Sequence, residues 1–296
     1  MTCSSTESIC SGVACGVITI IMAVYSSTGS ILGTAVTLFS YNVSPYAAKV
    51  RAVLRYKGVP FEERMVHPVE RGEVVRRSRQ NAFPIIDDGV TVVADSTRIV
   101  AFLDERYATR PVIPREPALR ARALLVEQRF DEGLARTVQP VRWMIPANAR
   151  RTAARFRSAY ATELLEDMRM ALVSTALRLD MRRKFGSRAL TAPPTAALLA
   201  RLGEVLDIVD AGLAETGWLA GPMPSVADFA LYGWLIQLDG LDGWDAAQSR
   251  QRVARLMQAL AEPTQRASGA AENDAEPALT GGAGRTQSAG DPSPSA

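Results

Sequence analysis

The stretch from Val36 to Tyr107 constrains the fold of this chain more than any other. Val36–Phe39 is a short apolar run before the turn residues Ser40-Tyr41-Asn42 and fits a buried strand. Ser44 then precedes Pro45, a favoured N-cap followed by a favoured first helical residue. Tyr46, Val50, Val53 and Leu54 line one face of the predicted helix, and Gly58 closes it as a left-handed cap. Phe61–Val66 reads as a second strand and Val69–Arg79 as a charged, solvent-facing helix. Phe83–Asp87 and Val90–Ala94 are β-rich runs separated by Asp88-Gly89, a hairpin signal, with Pro84 at the opening of the first. Asp95-Ser96 then caps a helix whose apolar side holds Ile99, Phe102 and Leu103. This order builds a small mixed sheet that brings helix N-termini and one proline to the same edge. Helix N-termini point unpaired N–H groups outward, so such an edge suits a small anionic ligand.

Pro111, Pro114 and Pro117 mark a connector, and the domain boundary is placed there. Residues 36–112 form the first expected domain and 117–261 an all-helical second one. Helices are predicted over Ala118–Thr137, Arg150–Leu179, Thr195–Thr216, Ser225–Leu238 and Ala247–Ala261, with a break at Gly186–Pro194. Ser225-x-x-Asp228 reads as a capping box with Asp in place of Glu. From Glu262 to Ala296 large apolar side chains are nearly absent, and a disordered tail is expected.

Met1–Ala35 carries no Lys or Arg. Its apolar run Val13–Tyr25 falls short of the roughly 20 residues that a spanning helix needs, and the basic start of a secretory signal is missing. Three readings stand: a loosely packed or disordered extension, a start called too early with Met22 as the true one, or a weak membrane or export segment.

Composition excludes more than any motif proves. The chain has 296 residues, enough for one large or two modest domains, and a net charge of +3, too small to argue for nucleic acid. Cys3, Cys10 and Cys15 all precede the region that reads as folded, so Cys-x-x-Cys redox chemistry has no residues in the body of the protein. The sole histidine, His67, supports neither a His-rich zinc site nor a Ser-His-Asp triad.

The pattern from Val36 to Ala261 resembles the cytosolic glutathione transferases, of the type with a Ser-Pro helix start. The pieces that carry the likeness are Ser44-Pro45-Tyr46-Ala47-Ala48-Lys49-Val50-Arg51 with Leu54 and Lys57-Gly58, then Phe83-Pro84-Ile85-Ile86-Asp87-Asp88-Gly89, then Asp95-Ser96 with Ile99 and Phe102-Leu103-Asp104-Glu105. Ser225-Val226-Ala227-Asp228 matches a helix start of the family's second domain. The resemblance implies an α/β thioredoxin-like domain followed by an all-α helical bundle. It implies glutathione as co-substrate, no metal, a homodimer and a cytoplasmic, detoxifying role. Pro84 would be the family's cis-proline, and the backbone of Phe83 would pair with the cysteinyl part of glutathione like an added strand. Asp95 would accept from the γ-glutamyl ammonium, and Ser96 with its helix N-terminus would donate to the carboxylate. Ser44 matches the catalytic Ser or Cys. A hydroxyl donor and a helix N-terminus near a thiol both favour its anion, so neither a protein base nor a metal is needed.

Rivals stay open beside this reading. Ser40 and Tyr41 compete with Ser44, since other classes place the hydroxyl near the end of the first strand. Asp228 is expected to be structural, His67 a loop residue, and Trp143, Phe130 and Arg129 core packing near the electrophile pocket. Asn-Pro ahead of the cis-proline strand is absent, and Ala82 stands where Lys or Gln is usual, so Gln80 or Arg79 would have to hold the glycine end. These departures keep a second reading alive: a non-catalytic member that binds a ligand or partner. A membrane-tethered version using Val13–Tyr25 is the third.

Overall fold

A computed structural model describes residues 36–69, 71–80, 83–160, 164–185 and 193–261. The expectations for Met1–Ala35, for the 262–296 tail and for most of the 186–194 break lie outside these residues. The first domain runs β1 (Val36–Ser40), α1 (Pro45–Lys57), β2 (Phe61–Met65), α2 (Gly72–Ser78), β3 (Ile85–Asp87), β4 (Val92–Ala94) and α3 (Ser96–Arg106). The strands lie in the order β2-β1-β3-β4. β1 is parallel to β2 and antiparallel to β3, and β3 is antiparallel to β4. This is the thioredoxin-like arrangement the element order implies.

Local chemistry accounts for each boundary. Ser44 caps α1 by accepting from the Ala47 N–H at 3.2 Å, with Pro45 as the first helical residue. Gly58 ends the helix at φ 69°, where its N–H reaches the last carbonyls. α2 has no buried residue, as its charge predicts. β1 alternates buried and half-buried positions, with Val36, Leu38 and Ser40 inward.

The second domain holds α4 (Pro117–Gly133), α5 (Ala135–Met144), α6 (Pro146–Ser158), α7 (Leu164–Phe185), α8 (Thr195–Gly212), α9 (Val226–Leu235) with a 3-10 turn at Ile236–Leu238, α10 (Trp244–Gln248) and α11 (Gln251–Ala261). The helices are shorter than the periodicity predicts. Ala118–Thr137 is two helices that join at Leu134. The Arg150–Leu179 span also divides, because Pro146 starts α6 and Ser158 ends it. Every residue of α9 is buried. Its start is the expected capping box: Asp228 accepts from the Ser225 N–H and Oγ, both at 2.8 Å, and from the Leu219 N–H at 2.9 Å.

One lysine joins the domains and a second holds the connector. Lys49 on α1, 1% exposed, donates to Glu127 and Asp131 of α4, and Thr97 of α3 donates to the same Glu127 oxygen. Lys57 donates to Asp104 at 2.9 Å and to the carbonyls of Thr109 and Arg110. Asp104 in turn accepts from the N–H groups of Val112 and Ile113, and the Val226 N–H donates to the Val112 carbonyl. The connector is thus pinned between α1, α3 and α9. Among the described residues no helix is long and apolar enough to cross a membrane, and no cluster of His, Cys, Asp and Glu could hold a metal ion.

Candidate functional site

Strand register gathers the sequence-predicted residues. Phe39 lies opposite Ile85, and Ile85 opposite Ala94. The exit of β1, the entry to β3 and the exit of β4 therefore share one end of the sheet. The first leads to Ser44, the second is Phe83-Pro84, and the third is Asp95-Ser96. The Phe83–Pro84 peptide bond is cis, as the resemblance implies. The Phe83 ring meets the Tyr41 ring edge-on at 5.0 Å.

Each side chain there has a measurable commitment. Ser44 uses an oxygen lone pair to cap α1, so its O–H remains available as a donor. Asp95 stands at φ 79° and caps α3, its Oδ1 accepting from Thr97 and Arg98 N–H at 3.0 and 3.1 Å. Both bonds fall on one oxygen of an exposed carboxylate, which leaves Oδ2 for an ammonium group. Ser96 is the first residue of α3 and is buried. Of the two rivals to Ser44, Ser40 is fully buried and donates to Glu63 at 2.6 Å, so its hydroxyl holds the sheet together. Burial raises the pKa of the Tyr41 hydroxyl, and the neighbouring Arg71 guanidinium draws it part of the way back. A phenol in that state keeps its proton, so it can donate to an anion but cannot act as a base.

Ser44 opens into a cleft of about 520 Å³ between the two domains. The β1–α1 loop and Pro68 with Arg71 form one wall, and residues of α5, α6 and α7 form the other. The lining is mainly apolar, with Val43, Trp143, Phe156 and Leu177 among its members. Phe83, Pro84, Asp95 and Ser96 are outside this lining, so the sheet end and the cleft adjoin with Ser44 common to both.

Trp143 lines the cleft while 2% exposed, its indole N–H donating to Gln139 at 3.1 Å. Phe130 packs half-buried on the main core and Arg129 is exposed; neither lines the cleft. His67 follows β2 and sets its ring edge-on to Tyr160 at 5.8 Å. Asn81 and Ala82 lie outside the described residues, while Arg79 is exposed at φ 57°. Sequence reasoning missed Arg142. It is 2% exposed, lines the cleft, and donates to the Val43 carbonyl at 3.0 Å and to Gln139 at 3.2 Å. The one signal it left was an arginine inside the apolar run Val138–Met144.

Residues 38–111 match the family described as glutathione S-transferase, N-terminal domain, and residues 188–259 match its C-terminal domain. The chain belongs to the glutathione S-transferase superfamily. A stringent starvation protein A homolog from Pasteurella multocida is 32% identical over 97 residues, which is 32% of this chain and 46% of that protein. Pyrimidodiazepine synthase from Drosophila melanogaster is 29% identical over 98 residues, 31% of this chain and 40% of that protein. Glutathione S-transferase 1 from Dianthus caryophyllus is 31% identical over 88 residues, 28% of this chain and 40% of that protein. The chain therefore spans less than half the length of these three curated relatives. Among solved structures, FzlA from C. crescentus has a TM-score of 0.56 at 23% identity, over 77% of this chain and 88% of that one. Glutathione transferase F7 from Populus trichocarpa has a TM-score of 0.53 at 14% identity, over 77% of this chain and 93% of that one. At these identities the likeness speaks for the transferase fold.

Proposed function

We propose that this glutathione transferase-fold protein activates the thiol of glutathione for attack on a small electrophile. The observation that carries the reading is the position of Ser44: a hydroxyl with a proton left to donate, at the N-terminus of a thirteen-residue helix, facing an apolar interdomain cleft. A free thiol has a pKa near about 8.5 and is mostly protonated at neutral pH. The Ser44 hydroxyl and the positive end of α1 stabilise the thiolate relative to the thiol. The sulfur then forms a bond to the electrophilic carbon as the leaving group departs with the bonding pair. Glutathione is a substrate here, and the sheet end fits its parts. The Phe83 backbone beside Pro84 serves the cysteinyl unit, Asp95 Oδ2 serves the ammonium, and Ser96 with the α3 N-terminus serves the γ-glutamyl carboxylate. A cytoplasmic homodimer with a detoxifying role accompanies this reading, following family habit.

Calorimetric titration of the full chain with reduced glutathione tests it. Binding in the micromolar-to-millimolar range that weakens in Ser96→Ala supports the reading. No heat of binding from a folded protein overturns it. One observation favours a second, non-catalytic reading. Leu165, Met168, Leu172 and Leu179 on α7 are 74%, 60%, 73% and 56% exposed, an apolar display that a partner-binding member of the superfamily would use.

A further inference from the structure

Among the described residues Arg142 is a buried cation without a carboxylate partner, its guanidinium carbon 5.9 Å from the centre of the Trp143 ring. Its guanidinium has five N–H donors. Protein acceptors are the Val43 carbonyl and the Gln139 side chain, both neutral. Its Nε is buried and has no partner among the described residues. Among the described residues the charged group that acts on it is Arg155, another cation, which adds to burial in pushing its pKa down to about 9. It is still charged at neutral pH. A buried charge that is not paired is among the costliest features a core can hold, and each one asks for an explanation. Anchoring the Val43 carbonyl is not sufficient, because a neutral amide donor would serve that purpose at lower desolvation cost.

The cleft supplies the explanation. Arg142 and the half-exposed Arg71 both line it. The one carboxylate among the described lining residues, Asp180, pairs with Lys184 at 2.7 Å. The rest of the lining is largely aromatic and aliphatic. An occupant that matches these surfaces is an apolar body bearing one negative charge. We propose that the electrophile taken by this cleft is a carboxylate-bearing aromatic compound, its carboxylate seated on Arg142 with support from Arg71 and its ring against Trp143 and Phe156. The guanidinium offers a planar fork to a carboxylate, which fixes orientation as well as charge. Arg142 holds the Val43 carbonyl, one residue before Ser44, so the seated anion would place the reacting carbon close to the thiol. The inference rests on the transferase reading for the word electrophile alone; the anion site stands or falls separately.

The test compares a nitrobenzoate with nitrobenzene for binding to the full chain without thiol, and a chloronitrobenzoate with the parent chloronitrobenzene for turnover with glutathione, corrected for the uncatalysed rates. We expect nitrobenzoate to bind roughly tenfold or more tighter than nitrobenzene, as for a hydrogen-bonded charge pair. That ratio should fall toward one in Arg142→Gln, remain partly in Arg142→Lys, and drop several-fold in Arg71→Gln. Arg71 is half-exposed, so its variant decides the matter if Arg142→Gln does not fold. Equal affinities for the two probes in the wild type, or no binding of either, overturn the proposal. So does a charge preference untouched in the variants while Arg142→Gln raises the pKa of bound thiol, since the missing counter-ion would then be the thiolate. A preference for nitrobenzoate with no turnover by glutathione retains the anion site and removes the transferase reading. Turnover of both chlorinated compounds with no charge preference does the reverse.

Discussion

Gly233 on α9 packs directly against the Pro45 carbonyl on α1. A β-carbon at Gly233 would lie 2.5 Å from that oxygen and 3.0 Å from the Lys49 nitrogen. Both neighbours are backbone and cannot swing aside. The contact sets how close the helical domain comes to the helix whose first turn presents Ser44. Gly233→Ala should therefore force α1 and α9 apart and cost about 2–4 kcal/mol, the upper range for overpacking. Chemical denaturation of the variant measures that loss. A variant as stable as the wild type would show that the two helices separate at no cost.

Ser44 has two jobs in the proposed function, and they separate by measurement. As the N-cap of α1 it contributes about 1 kcal/mol to stability. As a donor to a thiolate it would contribute roughly 100-fold to turnover, as single donors to a developing or stabilised anion do. Ser44→Ala should show both losses with little change in glutathione affinity. Ser44→Thr should recover much of each, because it restores a hydroxyl cap. Full turnover in Ser44→Ala would transfer the thiol-activating role to Tyr41, the rival that also lines the cleft.

Lys49 is the cation shared by two carboxylates, the buried Glu127, which also accepts from Thr97, and the half-buried Asp131. Glu127 is 2% exposed, and burial raises the pKa of Asp131 while Lys49 pulls it down. Lys49→Met removes the shared cation and should cost about 3–5 kcal/mol. Adding Glu127→Gln should return part of that loss, so the double variant is more stable than the sum of the singles predicts. Urea unfolding of the four proteins gives the coupling. A strictly additive result would mean that the Lys49–Glu127 contact carries no net energy.

Most of the first domain was legible because its signals are local. Ser44-Pro45, Gly58, Asp88-Gly89 and Asp95-Ser96 each act within a few residues of their own position. A sequence pattern reads such chemistry directly. The split of the predicted Ala118–Thr137 helix at Leu134 was not legible, since both halves keep helical periodicity and tertiary packing decides where the axis turns. Arg142 was invisible for a related reason. Its partner Val43 is far away in sequence, and nothing near Arg142 says that the fold buries it. Ser40 stood beside Ser44 as a rival until its bond to Glu63 was seen, because pairing of β1 with β2 is also a long-range fact.

That bond yields a prediction in pH. Burial by itself would raise the Glu63 carboxyl, but hydrogen bonds from Arg51 and Ser40 outweigh it and hold the group below the usual carboxylate range. A carboxyl whose folded pKa is depressed adds stability above its unfolded value, near about 4.3. That contribution is lost as pH falls through the folded value. Glu63→Gln cannot ionise and so lacks it. At neutral pH the variant should be less stable by about 1 kcal/mol, a figure kept small because the Arg51–Glu63 pair is partly open to solvent. The gap should close as the pH drops below about 4. Melting temperatures of the two proteins across that range measure it, and a gap that widens in acid would reverse the sign of the argument. Ser40→Ala belongs to the same experiment. Its hydroxyl serves Glu63, so it should lose stability with the same pH dependence and leave glutathione turnover unchanged. Turnover lost in Ser40→Ala at full stability would restore Ser40 as the rival to Ser44.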